Sequence, residues 1–169
     1  MHKRILFFTC FALLMFLGTS EGKVAGLVVA VRGNVELVDY KGEKKKLMLK
    51  DKLFTGDTIK TGPRGRVQIC FDDNSLFSLG KNTELTNSDF EYTDNTKTLN
   101  IKVEEGIFRV LGGKIAKFAP ENFKTLTPTA TIGIRGSMFA GQFFDDKLEA
   151  VFLGGKGITI TNEFGMVEI

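Results

Sequence analysis

Histidine, tryptophan and cysteine are nearly absent from this 169-residue chain, which has one histidine, no tryptophan and two cysteines. Because the one histidine is His2, the body of the chain cannot build a Ser-His-Asp site, a Cys-His site or a histidine-ligated zinc. Cys70 is the one cysteine beyond the first 22 residues, which excludes an internal disulfide framework and a thiolate metal site there. The chain also has no Gly-x-x-x-x-Gly-Lys phosphate loop. The sequence therefore predicts no cofactor and no metal.

The first 22 residues have the pattern of a secretory signal peptide. A short positive region at residues 3–4 precedes an apolar run at 5–17 and small residues at 18–20. The apolar run is shorter than the roughly 20 residues that a membrane-spanning helix needs. We predict cleavage of this segment, export to the periplasm or cell surface, no transmembrane anchor after cleavage, and one domain over residues 23–169.

The charge of the predicted mature chain is nearly balanced. Removal of the leader leaves 21 basic and 19 acidic side chains, a formal net charge of +2. This balance does not favour nucleic-acid binding. Six lysines nevertheless cluster within twelve residues, at Lys41, Lys44, Lys45, Lys46, Lys50 and Lys52. A solvated hairpin loop is the favoured interpretation of this cluster, and contact with an acidic envelope surface is the alternative.

Short β-type runs recur along the chain, separated by glycines and polar pairs. Val35 and Leu37 alternate with polar neighbours, as in a strand with one buried face. Sixteen phenylalanines suit the space between two sheet faces. Cys70, inside an apolar run, is expected to be a buried small hydrophobe. The predicted fold is all-β, a twisted β-roll or β-sandwich of many short strands, and a faint internal repeat leaves a solenoid-like form open.

The segment from Thr127 to Phe139 places Arg135 between Gly133 and Gly136. We predict one β-type run over residues 131–144, with Arg135 on the face opposite the apolar side chains. A guanidinium without bulky neighbours can lie flat against the backbone and donate to carbonyls or to a carboxylate. An internal lock is the favoured interpretation of Arg135, and a ligand clamp is the alternative.

A second block, Leu53-Phe54-Thr55-Gly56-Asp57-Thr58-Ile59-Lys60-Thr61-Gly62, precedes an apolar strand and the turn Asp72-Asp73-Asn74-Ser75. This block resembles the L-x-x-G-D-x-[IV]-x-T-G signature of the FecR domain family. The segment Thr127 to Phe139 resembles the family's T-P-x-A-x-x-G-[IV]-R-G-[ST]-x-F. Both occur in the family's order, and the resemblance extends over about residues 24–169. Asn74 stands where glycine is usual, and asparagine also tolerates the left-handed conformation.

The resemblance implies an all-β sensor module that relays a signal from an outer-membrane transporter to a cytoplasmic sigma-factor control region. Because the sequence has no N-terminal anti-sigma region and no predicted transmembrane helix, we expect a free-standing adaptor or surface ligand-binding domain. The signature residues are expected to be structural: Gly56, Asp57, Thr61, Gly62, Thr127, Pro128, Gly133, Arg135 and Gly136. We hypothesise that Asp57 pairs with Arg135 across the fold, because each is an ionisable residue in apolar, glycine-rich sequence.

Paired carboxylates could hydrolyse a glycan. The available acids lie mostly at turn positions, where aspartate is favoured for local hydrogen bonding: Asp57, Asp72, Asp73, Asp145 and Asp146. The Asp72–Ser75 turn lacks the alternate-residue oxygens and distal glutamate of an EF-hand.

We therefore predict a non-enzymatic binding domain whose partner is an envelope or outer-membrane protein. A carbohydrate- or peptidoglycan-binding module and a self-assembling structural β-domain are the alternative hypotheses.

Overall fold

The computed structural model describes residues 23–169, most of which are in β-strands. The predicted signal peptide lies outside the described residues. The strands are β1 (Val24–Arg32), β2 (Val35–Val38), β3 (Lys44–Lys46), β4 (Lys52–Phe54), β5 (Thr58–Thr61), β6 (Arg66–Phe71), β7 (Leu76–Leu79), β8 (Glu84–Tyr92), β9 (Lys97–Leu111), β10 (Phe123–Leu126), β11 (Thr131–Ile134), β12 (Met138–Phe144), β13 (Lys147–Gly154), β14 (Ile158–Asn162) and β15 (Gly165–Glu168). A short helix α1 (Lys114–Phe118) and a 3-10 turn (Pro120–Asn122) connect β9 to β10. The all-β prediction is confirmed.

The long strand β9 divides one continuous mixed sheet into two layers. Its C-terminal half pairs with β7 and β12 in layer A, whose strand order is β4-β1-β6-β7-β9-β12-β13. Its N-terminal half pairs with β8 and β10 in layer B, whose order is β3-β2-β5-β8-β9-β10-β11-β14-β15. The change of layer falls at Gly106, whose φ of +119° is a conformation that glycine adopts far more readily than other residues.

Phenylalanine rings fill the space between the two layers. Phe77 of layer A stacks on Phe123 of layer B with ring centroids 6.1 Å apart, and Phe71 meets Phe90 at 5.5 Å. One row of paired residues across layer A is fully buried: Val28, Ile69, Phe77, Val110 and Phe139. Burial of each such side chain contributes about 1.5–3 kcal/mol. The prediction that phenylalanines fill the gap between two sheet faces is confirmed.

Two local predictions were wrong. Residues 131–144 form two strands, because the chain turns at Gly136, where φ is +59° and the N–H donates to the carbonyl of Ala116 at 2.8 Å. Cys70 is half-buried and does not enter the core. It lies on the outward face of layer A, since successive residues of a strand point to opposite faces and both its neighbours face inward.

Two other local predictions are confirmed. The lysine cluster lies on the exposed β2–β3 hairpin, the loop that follows it and the first residue of β4, and all six lysines are exposed, as expected for a solvated segment. Asn74 has a φ of +67° in the turn between β6 and β7, which is the left-handed conformation that glycine would otherwise supply.

Candidate functional site

The first signature block forms a tight turn that is fastened to strand β8. The N–H of Phe54 donates to Asp57 Oδ2 at 2.8 Å, so the carboxylate closes the turn between β4 and β5. Gly56 has a φ of +90° and donates its N–H to the carbonyl of Asn87 at 2.8 Å. The N–H of Asn87 in turn donates to the carbonyl of Asp57 at 3.0 Å. Gly56 and Asp57 therefore shape a connection between strands.

The carboxylate of Asp57 is fully buried. Loss of solvation raises the pKa of Asp57, and the N–H groups of Phe54 and Tyr40 oppose that change by stabilising the charged form. The nearby carboxylate of Asp39 raises the pKa of Asp57 further, whereas the ammonium of Lys45 lowers it. Together these effects raise the pKa of Asp57, so the folded protein holds the proton of this carboxyl group more tightly than the unfolded chain does.

The end of the same block ties β5 to the β7–β8 connection. Thr61 Oγ1 donates to the carbonyl of Gly80 at 2.6 Å and accepts the N–H of Thr83 at 2.8 Å. The N–H of Gly62 donates to the carbonyl of Asn34 at 2.9 Å. These contacts use the polar atoms of the signature for hydrogen bonds within the fold.

The second signature block closes the β10–β11 turn. Thr127 Oγ1 donates to the carbonyl of Ala130 at 2.9 Å and accepts the N–H of Ala130 at 3.1 Å. Pro128 lies inside this turn, before the strand begins. Gly133 lies in β11, which pairs with β10 on one side and with β14 on the other. This block also positions strands.

The predicted pair between Asp57 and Arg135 does not form. The side chain of Arg135 is 57% exposed, and its Nη1 lies 3.0 Å from Oε1 of Glu168, whose side chain is also exposed. Strand β11 ends at Ile134, and the turn at Gly136 leaves the guanidinium on the surface. The hypothesis of a buried arginine lock was therefore wrong, and an exposed ion pair of this kind contributes about 0–1 kcal/mol.

Sequence reasoning missed the buried hydroxyl that organises the turn after Arg135. Ser137 Oγ accepts the N–H groups of Lys156 and Gly157, both at 2.9 Å, and lies 2.9 Å from the carbonyl of Gly157, to which it donates. The serine is buried. The [Ser/Thr] position of the signature was the available signal, because a serine hydroxyl next to a turn often hydrogen-bonds to nearby backbone.

Sequence reasoning also missed the role of Asp73. Its Oδ1 accepts the N–H of Ser75 at 2.9 Å, and its Oδ2 accepts the hydroxyl of Ser75 at 2.7 Å and the N–H of Ile115 at 3.1 Å. The Asp72–Ser75 segment is the β6–β7 turn, as expected, and it also anchors the start of α1. Because protein donors use both oxygens of Asp73, this carboxylate has little capacity left for a cation.

The outward face of layer A carries a surface that no single segment of the sequence reveals. Directly paired residues on five neighbouring strands form what we call the apolar row: Leu27, Cys70, Leu76, Leu111 and Met138. Leu27 is 43% exposed and Leu111 is 44% exposed. Val151 on β13 extends the apolar surface beyond the row and is 60% exposed. The row therefore presents apolar side chains, half-buried to exposed, across five of the seven strands of layer A.

Positive charge borders the apolar row on the same face. Arg109 lies two residues from Leu111 on β9, and its Nη2 contacts Met138 Sδ at 2.8 Å. Arg32 and Arg66 are paired on β1 and β6, and both are exposed. None of these three arginines forms an ion pair within residues 23–169. The combination of aliphatic surface and unpaired guanidinium groups is typical of a protein-binding face.

A second candidate surface is a cleft of about 280 Å³ above Asp57. Phe54 and the half-exposed Tyr40 line it, and four lysines stand around it: Lys41, Lys44, Lys45 and Lys52. Asp39 and Glu43 also line it, so charges of both signs meet there. Because Asp39 already accepts the N–H groups of Lys41 and Glu43, the cleft is built around a hairpin turn.

Within residues 23–169, no helix is both long enough and apolar enough to cross a membrane. The same residues contain no group of three or more histidine, cysteine, aspartate or glutamate side chains that could share a metal ion.

Comparison with solved structures finds the same fold in two crystal structures of a candidate anti-sigma factor from Parabacteroides distasonis ATCC 8503. One is 11% identical with a TM-score of 0.55, and the other is 14% identical with a TM-score of 0.51. Each alignment covers 66% of this chain and half of the other chain. A structure described as a cell surface anchoring domain is 30% identical over 37% of this chain and 83% of its own length, with a TM-score of 0.36. A comparison with curated protein sequences returned no match.

The family comparison covers both the Asp57 turn and the turn that holds Arg135. Residues 57–156, more than half of the chain, match the family model described as FecR protein. The chain therefore belongs to the FecR protein family.

Proposed function

We propose that this FecR-family chain is a non-enzymatic sensing domain of the bacterial envelope that binds another envelope protein through the outward face of layer A. The apolar row is the observation that carries the proposal. A contiguous aliphatic surface on a sheet face gains roughly 25 cal/mol for each Å² that a partner removes from water. Surfaces of this kind on otherwise polar proteins commonly mark interaction sites.

The charges of this face favour a partner that presents an apolar patch bordered by carboxylates. Arg32, Arg66 and Arg109 would pair with those carboxylates. A second copy of the chain fits this face less well, because it would bring three more arginines. An acid on the same face, Glu149, is already engaged by Lys147 and Gln142. The alternative of a carbohydrate-binding module has less support, because the cleft above Asp57 offers one exposed tyrosine as a platform.

A binding function without catalysis agrees with how the buried acids are used. Asp57 and Asp73 both accept backbone N–H groups that shape turns, which leaves them badly placed to transfer protons to a substrate. His2 lies in the predicted leader, so the predicted mature chain lacks histidine, the side chain most often used as a general acid or base. We place the domain in the periplasm or at the cell surface.

Site-specific photocrosslinking in envelope preparations tests this proposal. A benzophenone side chain at Leu27 or Leu111 should capture one envelope protein, and the same group at Lys102, exposed on the outward face of layer B, should not. The captured protein, once purified, should bind the chain directly. We expect Leu111→Glu to weaken that binding at least about tenfold, which is 1.4 kcal/mol, while the matched Lys102→Glu change leaves it unaltered.

Because exposed arginines contribute to the proposed contact, binding should weaken as the salt concentration rises. Exposed arginine–carboxylate contacts weaken as the Debye length falls from about 10 Å at 0.1 M salt to about 3 Å at 1 M. Capture of nothing beyond the Lys102 control, capture of a second copy alone, or equal loss of binding in the two glutamate variants would each contradict the proposal.

A further inference from the structure

The outer edge of β13 is the longest unpaired strand edge in residues 23–169. β13 pairs with β12 along its length and with no other strand. In the described part of the chain, no backbone hydrogen bond outside that ladder involves residues 147–154. Its outward N–H and C=O groups are therefore free to pair with a further strand.

The other outer strands carry features that discourage such pairing. β3 has three residues, all lysine, and β4 has three residues and begins with Lys52. β15 has four residues. Short edge strands and edge lysines are the means by which natural sheets avoid pairing edge to edge. β13 has eight residues with a lysine only at its first position, and the stretch from Ala150 to Leu153 is wholly apolar.

We infer that β13 pairs antiparallel with β13 of a second copy across a two-fold axis. The two A layers, of seven strands each, then form one sheet of fourteen strands. Antiparallel pairing of identical strands is isologous, so the contact closes on itself as a dimer and does not propagate. This contact uses the strand edge and leaves the outward face of layer A free, so it does not depend on the proposed function.

The side chains of β13 select the register. Residues that lie directly opposite each other in an antiparallel pair point to the same face of the sheet. The two-fold axis therefore has to pass between one residue of β13 and the same residue of the second copy. With Ala150 at the axis, Leu148 lies opposite Phe152 of the second copy on the inward side. On the outward side Glu149 lies opposite Val151 of the second copy. No like charges then meet.

The neighbouring registers are less favourable. An axis beside Glu149 would place two glutamates directly opposite each other, which is destabilising. An axis beside Val151 would require regular pairing through Leu153, where the ladder between β13 and β12 shifts its register. The register centred on Ala150 uses the regular part of the strand.

Charge exchange across the predicted register tests the proposal in the protein expressed from its full sequence. Sedimentation equilibrium should detect a dimer whose population rises with concentration. Val151→Glu places glutamates opposite each other at two symmetric positions, and we expect it to weaken dimerisation at least about tenfold. Addition of Glu149→Lys to that variant converts both positions to lysine–glutamate pairs and should restore dimerisation. Circular dichroism would check that both variants fold. We expect them to fold, because Val151 is 60% exposed and a glutamate there stays in solvent.

Cysteine crosslinking gives an independent measure of the same register. Opposite residues in an antiparallel pair have Cα atoms about 4.5–5.5 Å apart, within the range that a disulfide bridges. In a Cys70→Ser background, Ala150→Cys should form a disulfide-linked dimer at least about tenfold faster than Met166→Cys on the β15 edge. A monomer at all concentrations up to about 1 mM, an unaltered dimer in Val151→Glu, or equal crosslinking at the two positions would overturn the inference.

Discussion

Gly106 packs so closely against Thr83 that a Cβ atom on the glycine would stand 2.3 Å from the Thr83 Cα. Thr83 Oγ1 also accepts the N–H of Ile107 at 3.0 Å. The point where β9 passes from layer B to layer A is therefore held against the start of β8. This contact fixes the relation between the two layers, on which the outward face of layer A depends.

We expect Gly106→Ala to destabilise the fold more than a glycine replacement that meets no neighbour. The φ of +119° alone strains an alanine by about 1–3 kcal/mol, and the clash with Thr83 adds an overpacking cost of about 1–3 kcal/mol. Gly165→Ala is the matched control, because Gly165 has a φ of +146° with nothing within 4 Å. Urea unfolding of both variants measures the difference, and equal losses would show that Thr83 does not constrain this junction.

The buried carboxylate of Asp57 should make stability depend on pH in an unusual direction. Below its ordinary value of 3.8 the group is protonated in both states and contributes no pH dependence. As the pH rises, the unfolded chain loses the proton first, because the pKa of Asp57 is raised in the folded protein. Unfolding is thereby favoured until the pH exceeds the folded pKa, above which the effect is constant.

Asp57→Asn removes this titration and retains an oxygen for the Phe54 N–H. The unfolding free energy of the wild type relative to the Asn variant should therefore fall as the pH rises from 3 to 7. Asp94→Asn in the exposed β8–β9 turn is the control, and its difference from the wild type should lack this fall. A relative stability of the wild type that stays constant or rises over this range would contradict a raised pKa.

Much of the fold was predictable because its causes are local. Alternation in residues such as Val35 and Leu37, and glycine or asparagine at turns such as Asn74, act over a few residues. The apolar row was not predictable in the same way. The row contains residues that are far apart in sequence, such as Leu27, Leu76 and Met138. They lie in one row only because of the register between strands that are not neighbours in the chain. One change of register would turn these side chains to the other face.

The two predictions that failed at the signature have a common physical origin. The prediction continued the period-two alternation of faces through Arg135. Strand β11 ends at Ile134 and the chain turns at Gly136, which has a positive φ, so the alternation does not continue through Arg135. The pairing of Asp57 with Arg135 was predicted because both are ionisable residues in apolar, glycine-rich sequence, yet the hydrogen-bond donor that closes on Asp57 is the backbone N–H of Phe54. Sequence patterns identify residues that need partners more readily than they identify those partners.

Removal of the Ser137 hydroxyl should cost more stability than removal of the Arg135 side chain. Ser137→Ala leaves the N–H groups of Lys156 and Gly157 without their acceptor in a buried site, at about 1–3 kcal/mol. Arg135→Ala removes an exposed ion pair, at about 0–1 kcal/mol that shrinks further at high salt. Chemical denaturation at 0.1 M and 1 M salt compares the two, and a larger loss for Arg135→Ala would support the buried lock that the structure contradicts.

Asp73 should be the most sensitive acid of the β6–β7 turn. Asp73→Ala removes the acceptor for the N–H of Ser75 in the β6–β7 turn and for the N–H of Ile115 in the first turn of α1. We expect a loss of about 2–4 kcal/mol, because two buried donors and the Ser75 hydroxyl lose their partner together. Asp72→Ala, at the exposed neighbouring position, should change stability by less than about 0.5 kcal/mol. Hydrogen exchange at Ile115 supplies a local measurement: its protection should fall in the Asp73 variant and persist in the Asp72 variant. Equal protection in both variants would mean that α1 is held by the β-sheet alone.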